Sequence, residues 1–287
     1  MVYELAKQDE RIVFIGSDLG AGVLEDFKRE MPDRFFMEGI SEATVVGMAA
    51  GLAREGRIVY VNTIATFLTR RAFEQIAIDV GLHRANVRLI GNGGGAVYAP
   101  LGPTHLAVDD IALMRTIPGM TILAPCDADE MARLMPQTVE YEGPMYIRLG
   151  KGGDPILPNC FRRGEPGSIL IVATGTASQL ADAAAAQIGA YFMHLQVLKP
   201  FDTLCLLRTV QGCSAVVTVE DHGIIGGLGS IIAEALGESG LQRQLKRIGY
   251  PDAFLYGYGT QDEMRAAYGL SVENIVKTVQ ELCGITR

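Results

Sequence analysis

The sequence predicts an α/β protein made of two consecutive open, mostly parallel three-layer α/β/α domains. Short β-branched runs alternate with helix-like stretches along most of the chain, the pattern of a parallel sheet with crossover helices. That alternation dissolves into Gly, Pro, Asn and Arg between Gly150 and Gly167, then resumes. The length of 287 residues also suits two domains of about 150 residues each.

The elements follow in order. Strands are expected at Arg11–Gly16, Arg57–Asn62, Val87–Gly91, Met120–Ala124 and Met145–Leu149. Between them lie expected helices at Val23–Glu30, Glu42–Arg54, Arg70–Val80, Val108–Thr116 and Asp127–Val139. Asp127 reads as an N-cap because acidic residues fill the turn that follows it. In the second half, strands are expected at Ser168–Ala173, Met193–Leu198 and Ala215–Glu220, with helices at Gln179–Ile188, Leu228–Leu236 and Val272–Leu282. The resulting division is a first domain over 1–152, a linker over 153–166 and a second domain over 167–287. No internal repeat of fixed period appears.

Composition narrows the function classes. A hydrophobic content of 48% with 20% charged residues fits a globular chain able to bury real cores. The net charge of −8 argues against broad attraction to nucleic acid or an anionic membrane, while leaving room for a small phosphate site. Cys126, Cys160, Cys205, Cys213 and Cys283 are scattered without metal-ligand spacing, so neither zinc nor a disulfide framework is expected. Charges crowd Met1–Arg11, leaving no apolar signal core, and no apolar run approaches the roughly 18 residues of a membrane span. A soluble, cytoplasmic protein is expected.

Glu42 is the leading candidate for chemistry. It follows the turn Glu38-Gly39-Ile40-Ser41 at the start of a helix. Such a carboxylate by itself is usually a dipole-favoured capping residue. Here the helix continues with the small residues Gly47, Ala49, Ala50, Gly51 and Ala53, which suit close packing at a subunit interface around a cofactor. Phe67 and Phe73 flank Arg70 shortly downstream. They are read either as core packing with a surface arginine, or as a ring-binding pocket with Arg70 near Glu42 or the cofactor. His105 lies in a Gly-rich loop after a strand, a place suited to acid–base work or to a structural hydrogen bond. Arg148 ends the last strand of the first domain, where it is either an anion contact or a solvated charge.

Two further strings are assigned no chemistry. Gly91-Asn92-Gly93-Gly94-Gly95-Ala96 superficially matches a dinucleotide fingerprint, but no helix opens at its glycines. They are expected to let a loop lie close to a ligand or partner. Glu220-Asp221-His222 invites a metal, but three adjacent side chains converge poorly, and a structural turn is expected.

Taken together, these strings resemble the C-terminal half of transketolase-like thiamine diphosphate enzymes. The resemblance covers nearly the whole chain: Gly39-Ile40-Ser41-Glu42, Thr66-Phe67-Leu68, Gly102-Pro103-Thr104-His105, Tyr146-Ile147-Arg148, Leu198-Lys199-Pro200-Phe201-Asp202, Glu220-Asp221-His222 and Tyr250-Pro251-Asp252. It implies a pyrimidine-binding domain followed by a transketolase C-terminal domain that chiefly supports assembly. Glu42 would match the glutamate that donates a proton to the cofactor's pyrimidine ring, and a buried interface favours keeping that proton. Phe67, Arg70 and Phe73 would match the pyrimidine pocket, and Asp18 an aspartate near the cofactor. His105 would match a substrate-side histidine and Arg148 an arginine that binds substrate phosphate.

Two departures shape the expected function. Thiamine diphosphate needs Mg2+ (or Ca2+) held by a Gly-Asp-Gly run, and this chain has none. The metal is therefore expected on a separate N-terminal diphosphate-binding subunit, in an α2β2 heterotetramer. In addition, Ala99-Pro100-Leu101-Gly102 stands where the family has Gly-Glu-Asp-Gly, so Leu101 replaces an aspartate that reads a donor hydroxyl, and Gly93 stands in place of a histidine. Losing hydroxyl-reading groups removes contacts that dominate discrimination. The expectation is a specialised small keto substrate, with transfer of a ketol or acyl unit to an aldehyde. The alternatives are a decarboxylative 2-oxo acid carboligase, the β subunit of a 2-oxo acid dehydrogenase, and a non-catalytic scaffold half.

Overall fold

The computed structural model describes residues 1–16, 24–157 and 169–284. Asp18 and Cys160 lie outside the described residues.

Eleven strands form two sheets among these residues. The strands are β1 (Ile12–Gly16), β2 (Phe35–Met37), β3 (Ile58–Ile64), β4 (Val87–Asn92), β5 (Thr121–Leu123), β6 (Met145–Leu149), β7 (Ile169–Ala173), β8 (Tyr191–His194), β9 (Val197–Lys199), β10 (Ala215–Gly223) and β11 (Gln244–Tyr250). The first sheet runs β2-β1-β3-β4-β6-β5-β9 and the second β11-β10-β7-β8. All pairings are parallel except β5 with β9. Strands buried on both faces explain the continuous apolar runs: β1 and β7 are buried at every position.

The two halves are not independent. Met193–Leu198, expected as one strand, is two strands in different sheets. After β8 the chain steps across at Leu195 and Gln196, whose backbone groups bond Ala173 and Ala124, and β9 then closes the free edge of β5. Apolar contact follows the same path: Val172, Met193 and Leu198 share one core with Val61, Ile122 and Tyr146.

Other departures have local causes. The expected helix Arg70–Val80 is a chain of wide π-type turns, Phe67–Arg71 and Ile76–Leu82, around a short helix at Phe73–Gln75. Helices at Val2–Gln8, Thr203–Val210 and Gln261–Ala267 add to those expected. Two of these carry good N-caps, Asp202 accepting from Cys205 N–H and Thr260 in a capping box with Glu263. β11 is hidden in the sequence because its exposed Gln244, Lys246 and Arg247 mask the apolar alternation of an edge strand. No helix among the described residues is long and apolar enough to cross a membrane.

Candidate active site

The carboxyl ends of the parallel strands collect the candidate residues, as expected for an open α/β sheet. β2 leads through Gly39, whose φ of +68° makes the sharp turn that most side chains resist, into the helix Glu42–Arg54. The Ser41 hydroxyl donates to the Glu38 carbonyl at 3.0 Å and braces that turn. Glu42 thus opens the helix with its side chain buried, 2% exposed.

Its partner is Arg71 rather than Arg70. Arg71 Nη1 donates to Glu42 Oε2 at 2.7 Å, the only hydrogen bond of that carboxylate among the described residues. The same guanidinium lies 4.6 Å over the face of Phe67. Arg70 points elsewhere, its Nε donating to Asp109 at 2.9 Å. The wide turn Phe67–Arg71 puts Phe67 and Arg71 on one side and turns Arg70 away, which the sequence pattern could not reveal. The expectation of Arg70 beside Glu42 is corrected accordingly.

Phe67 also meets His105 edge-on, with ring centres 5.0 Å apart at 69°. His105 Nδ1 is paired with the Thr104 hydroxyl at 2.9 Å, while Nε2 has no hydrogen bond among the described residues. Glu42, Arg71, Phe67 and His105 therefore form a continuous chain of contacts, from a buried carboxylate to a half-buried imidazole. Just before Phe67, the buried Thr66 hydroxyl has no hydrogen-bond partner among the described residues.

The remaining candidates are placed differently. Phe73 is half-buried against the main core, which is the packing alternative. Leu101 is 53% exposed on the loop that carries His105. Arg148 is neither solvated nor open to an anion: it is buried, with Nε donating to Asp110 Oδ2 at 2.7 Å and Nη2 to the carbonyls of Ala107 and Asp221. Its expected role as a phosphate contact is corrected on that geometry, because those donors are spent inside the protein. Glu220-Asp221-His222 is no turn either; it is the buried end of β10. Burial pushes the Glu220 carboxyl up to about 7, against the pull of the Leu228 and Gly229 N–H groups.

The family profile "Transketolase, pyrimidine binding domain" matches residues 1–153, and "Transketolase, C-terminal domain" matches residues 162–275. The 6-deoxy-6-sulfo-D-fructose transketolase subunit SqwH of a Clostridium species is 34% identical over 98% of this chain and 92% of its own length. One of the subunits of an apulose-4-phosphate transketolase from Phocaeicola vulgatus is 36% identical over 97% of this chain and 93% of its own. Among solved structures, a split-gene transketolase described as an inactive beta4 tetramer superposes with a TM-score of 0.88 at 33% identity, covering 100% of this chain and 96% of that one.

Proposed function

This chain belongs to the transketolase family, and from that premise we propose that it is the C-terminal subunit of a split, thiamine-diphosphate-dependent transketolase acting on a specialised keto substrate. The observation that carries the reading is the buried Glu42 carboxylate, joined through Arg71 to the face of Phe67, whose ring in turn meets His105.

Those residues suit the aminopyrimidine end of thiamine diphosphate. A flat ring bearing nitrogen needs a carboxyl partner and an aromatic face, and Glu42 and Phe67 provide both at one place. When bound, the cofactor supplies the nucleophilic carbon that attacks a carbonyl. Glu42 would set its carboxyl against a ring nitrogen. Phe67 gives an apolar wall, and Arg71 must share Glu42 with the ring. His105, its Nδ1 tied to Thr104, offers Nε2 to give or take the proton of a substrate oxygen. Mg2+ and the diphosphate fall to a partner chain, since no Gly-Asp-Gly run exists here to hold them. An α2β2 heterotetramer would give each half-site its complement.

The relatives named for 6-deoxy-6-sulfo-D-fructose and apulose-4-phosphate support a specialised ketose substrate. Leu101, exposed on the loop that carries His105 where a hydroxyl-reading acid is expected, favours the same class. The test mixes this chain with its Gly-Asp-Gly partner, thiamine diphosphate, Mg2+ and each of those two ketoses plus an aldehyde acceptor. Turnover is expected only with both chains, and Glu42→Gln is expected to lower it by about 10²–10⁴-fold. Unchanged turnover in that variant would refute the role given to Glu42.

A further inference from the structure

The glycine string after β4 and the Glu220-Asp221-His222 string at the end of β10 meet each other. Gly95 has a φ of +78°, and a β-carbon there would collide with the Asp221 carboxylate. No side chain fits between them. Asp221 Oδ1 accepts the Ala96 N–H at 3.2 Å and the Tyr250 hydroxyl at 2.7 Å. Its Oδ2 accepts from Gln261 and, twice, from Arg265. The carboxylate is fully buried, so each of these donors replaces water.

Gly95 is one end of a closed loop. Gly95 N–H donates to the Ala107 carbonyl at 2.8 Å, and Ala107 N–H returns the bond to Gly95 at 3.0 Å. His105 sits two positions before that closure. The far end is tied to the same second-domain residue, because Arg148 Nη2 bridges the carbonyls of Ala107 and Asp221. Gly223 N–H then bonds the Val108 carbonyl at 2.7 Å. At the crown, the Tyr258 ring leans on Gly102, where an added β-carbon would come within 3.0 Å of it.

We infer that Asp221 is a positioning residue: through it the second domain clamps both ends of the loop Gly95–Ala107 and so fixes the place of His105. The inference rests on the substrate-side role proposed for His105, and it gives the second domain a part in the chemistry beyond assembly.

Two measurements test it. Hydrogen exchange on the complete chain reads the clamp without any turnover. Gly95→Ala, and separately Tyr250→Phe, should speed exchange at Ala96 and Ala107 while leaving the β3 amides protected. Exchange unchanged at those two amides in both variants overturns the clamp. In the assembled enzyme, Gly95→Ala should lower kcat/KM by about a hundred-fold, the scale of a small misplacement of a reacting group. Made in a His105→Ala background it should cost less than about twofold, since residues acting as a unit are not additive. A full multiplicative loss in that background overturns positioning through His105. If Gly95→Ala does not fold, Tyr250→Phe carries both measurements. Absence of turnover in the unsubstituted assembly would instead sink the proposed function and leave the exchange result to decide the clamp.

Discussion

Glu42 and Phe67 depend on single geometric facts. Phe67 presents one face to Arg71 and meets His105 in a T-shaped contact, so its ring organises the pocket more than it fills a core. Aromatic contacts of this kind contribute about 0.5–1.5 kcal/mol beyond area, so Phe67→Ala should weaken thiamine diphosphate binding to the assembled enzyme roughly two- to tenfold. Titrating activity against cofactor checks this, and an unchanged half-saturation point would remove Phe67 from the pocket. Glu42 was legible in the sequence because a glycine turn, a carboxylate and a small-residue helix follow one another. Arg71 was not. The choice between neighbouring arginines depends on the pitch of a wide helical turn, which no local pattern encodes. Arg148 misled for a different reason: the strand-end rule located it correctly, but its partner Asp110 lies 38 positions away in sequence.

Strands and helices were legible wherever local periodicity decided them, and illegible where the seam between the halves did. β6 and the helices Glu42–Arg54 and Val272–Leu282 have the expected bounds. The split of β8 from β9 follows from a partner strand in the other sheet. The seam also carries buried polar pairs whose removal should be costly. Arg148→Ala strands Asp110 without its cation, and breaking such a pair costs about 3–5 kcal/mol, to be read as a lowered denaturation midpoint. A second pair joins the helix Ala128–Glu140 to β8: His194 Nε2 meets Glu130 Oε2 at 2.9 Å. Burial works against the charge, but His194 and the Cys126 N–H outweigh it and hold the Glu130 carboxyl down to about 2, against an ordinary 4.5. A depressed carboxyl stabilises the fold above its unfolded value, and that share is lost as pH falls from 4.5 towards 2. Stability measured across this acid window should therefore fall less steeply in Glu130→Gln than in the parent. Parallel slopes would show that the pair contributes nothing.

At the scale of the whole molecule, this chain carries a buried acid beside an aromatic pair but no Gly-Asp-Gly run. Calorimetry should accordingly find no tight Mg2+-dependent binding of thiamine diphosphate by the chain alone, and tight binding once the partner is added. Tight binding without the partner would contradict the divided site. A last consequence comes from β9, which leaves the second half to cap the first sheet. Cleaving the polypeptide between residues 157 and 169 should not release two free pieces, since Val197–Lys199 still straps the fragments together. Expressed alone, the fragment ending at residue 157 would bare the rim of β5 and is expected to precipitate; co-expressed with the remainder, it should stay in solution. The strap therefore makes this junction a poor place to divide the chain.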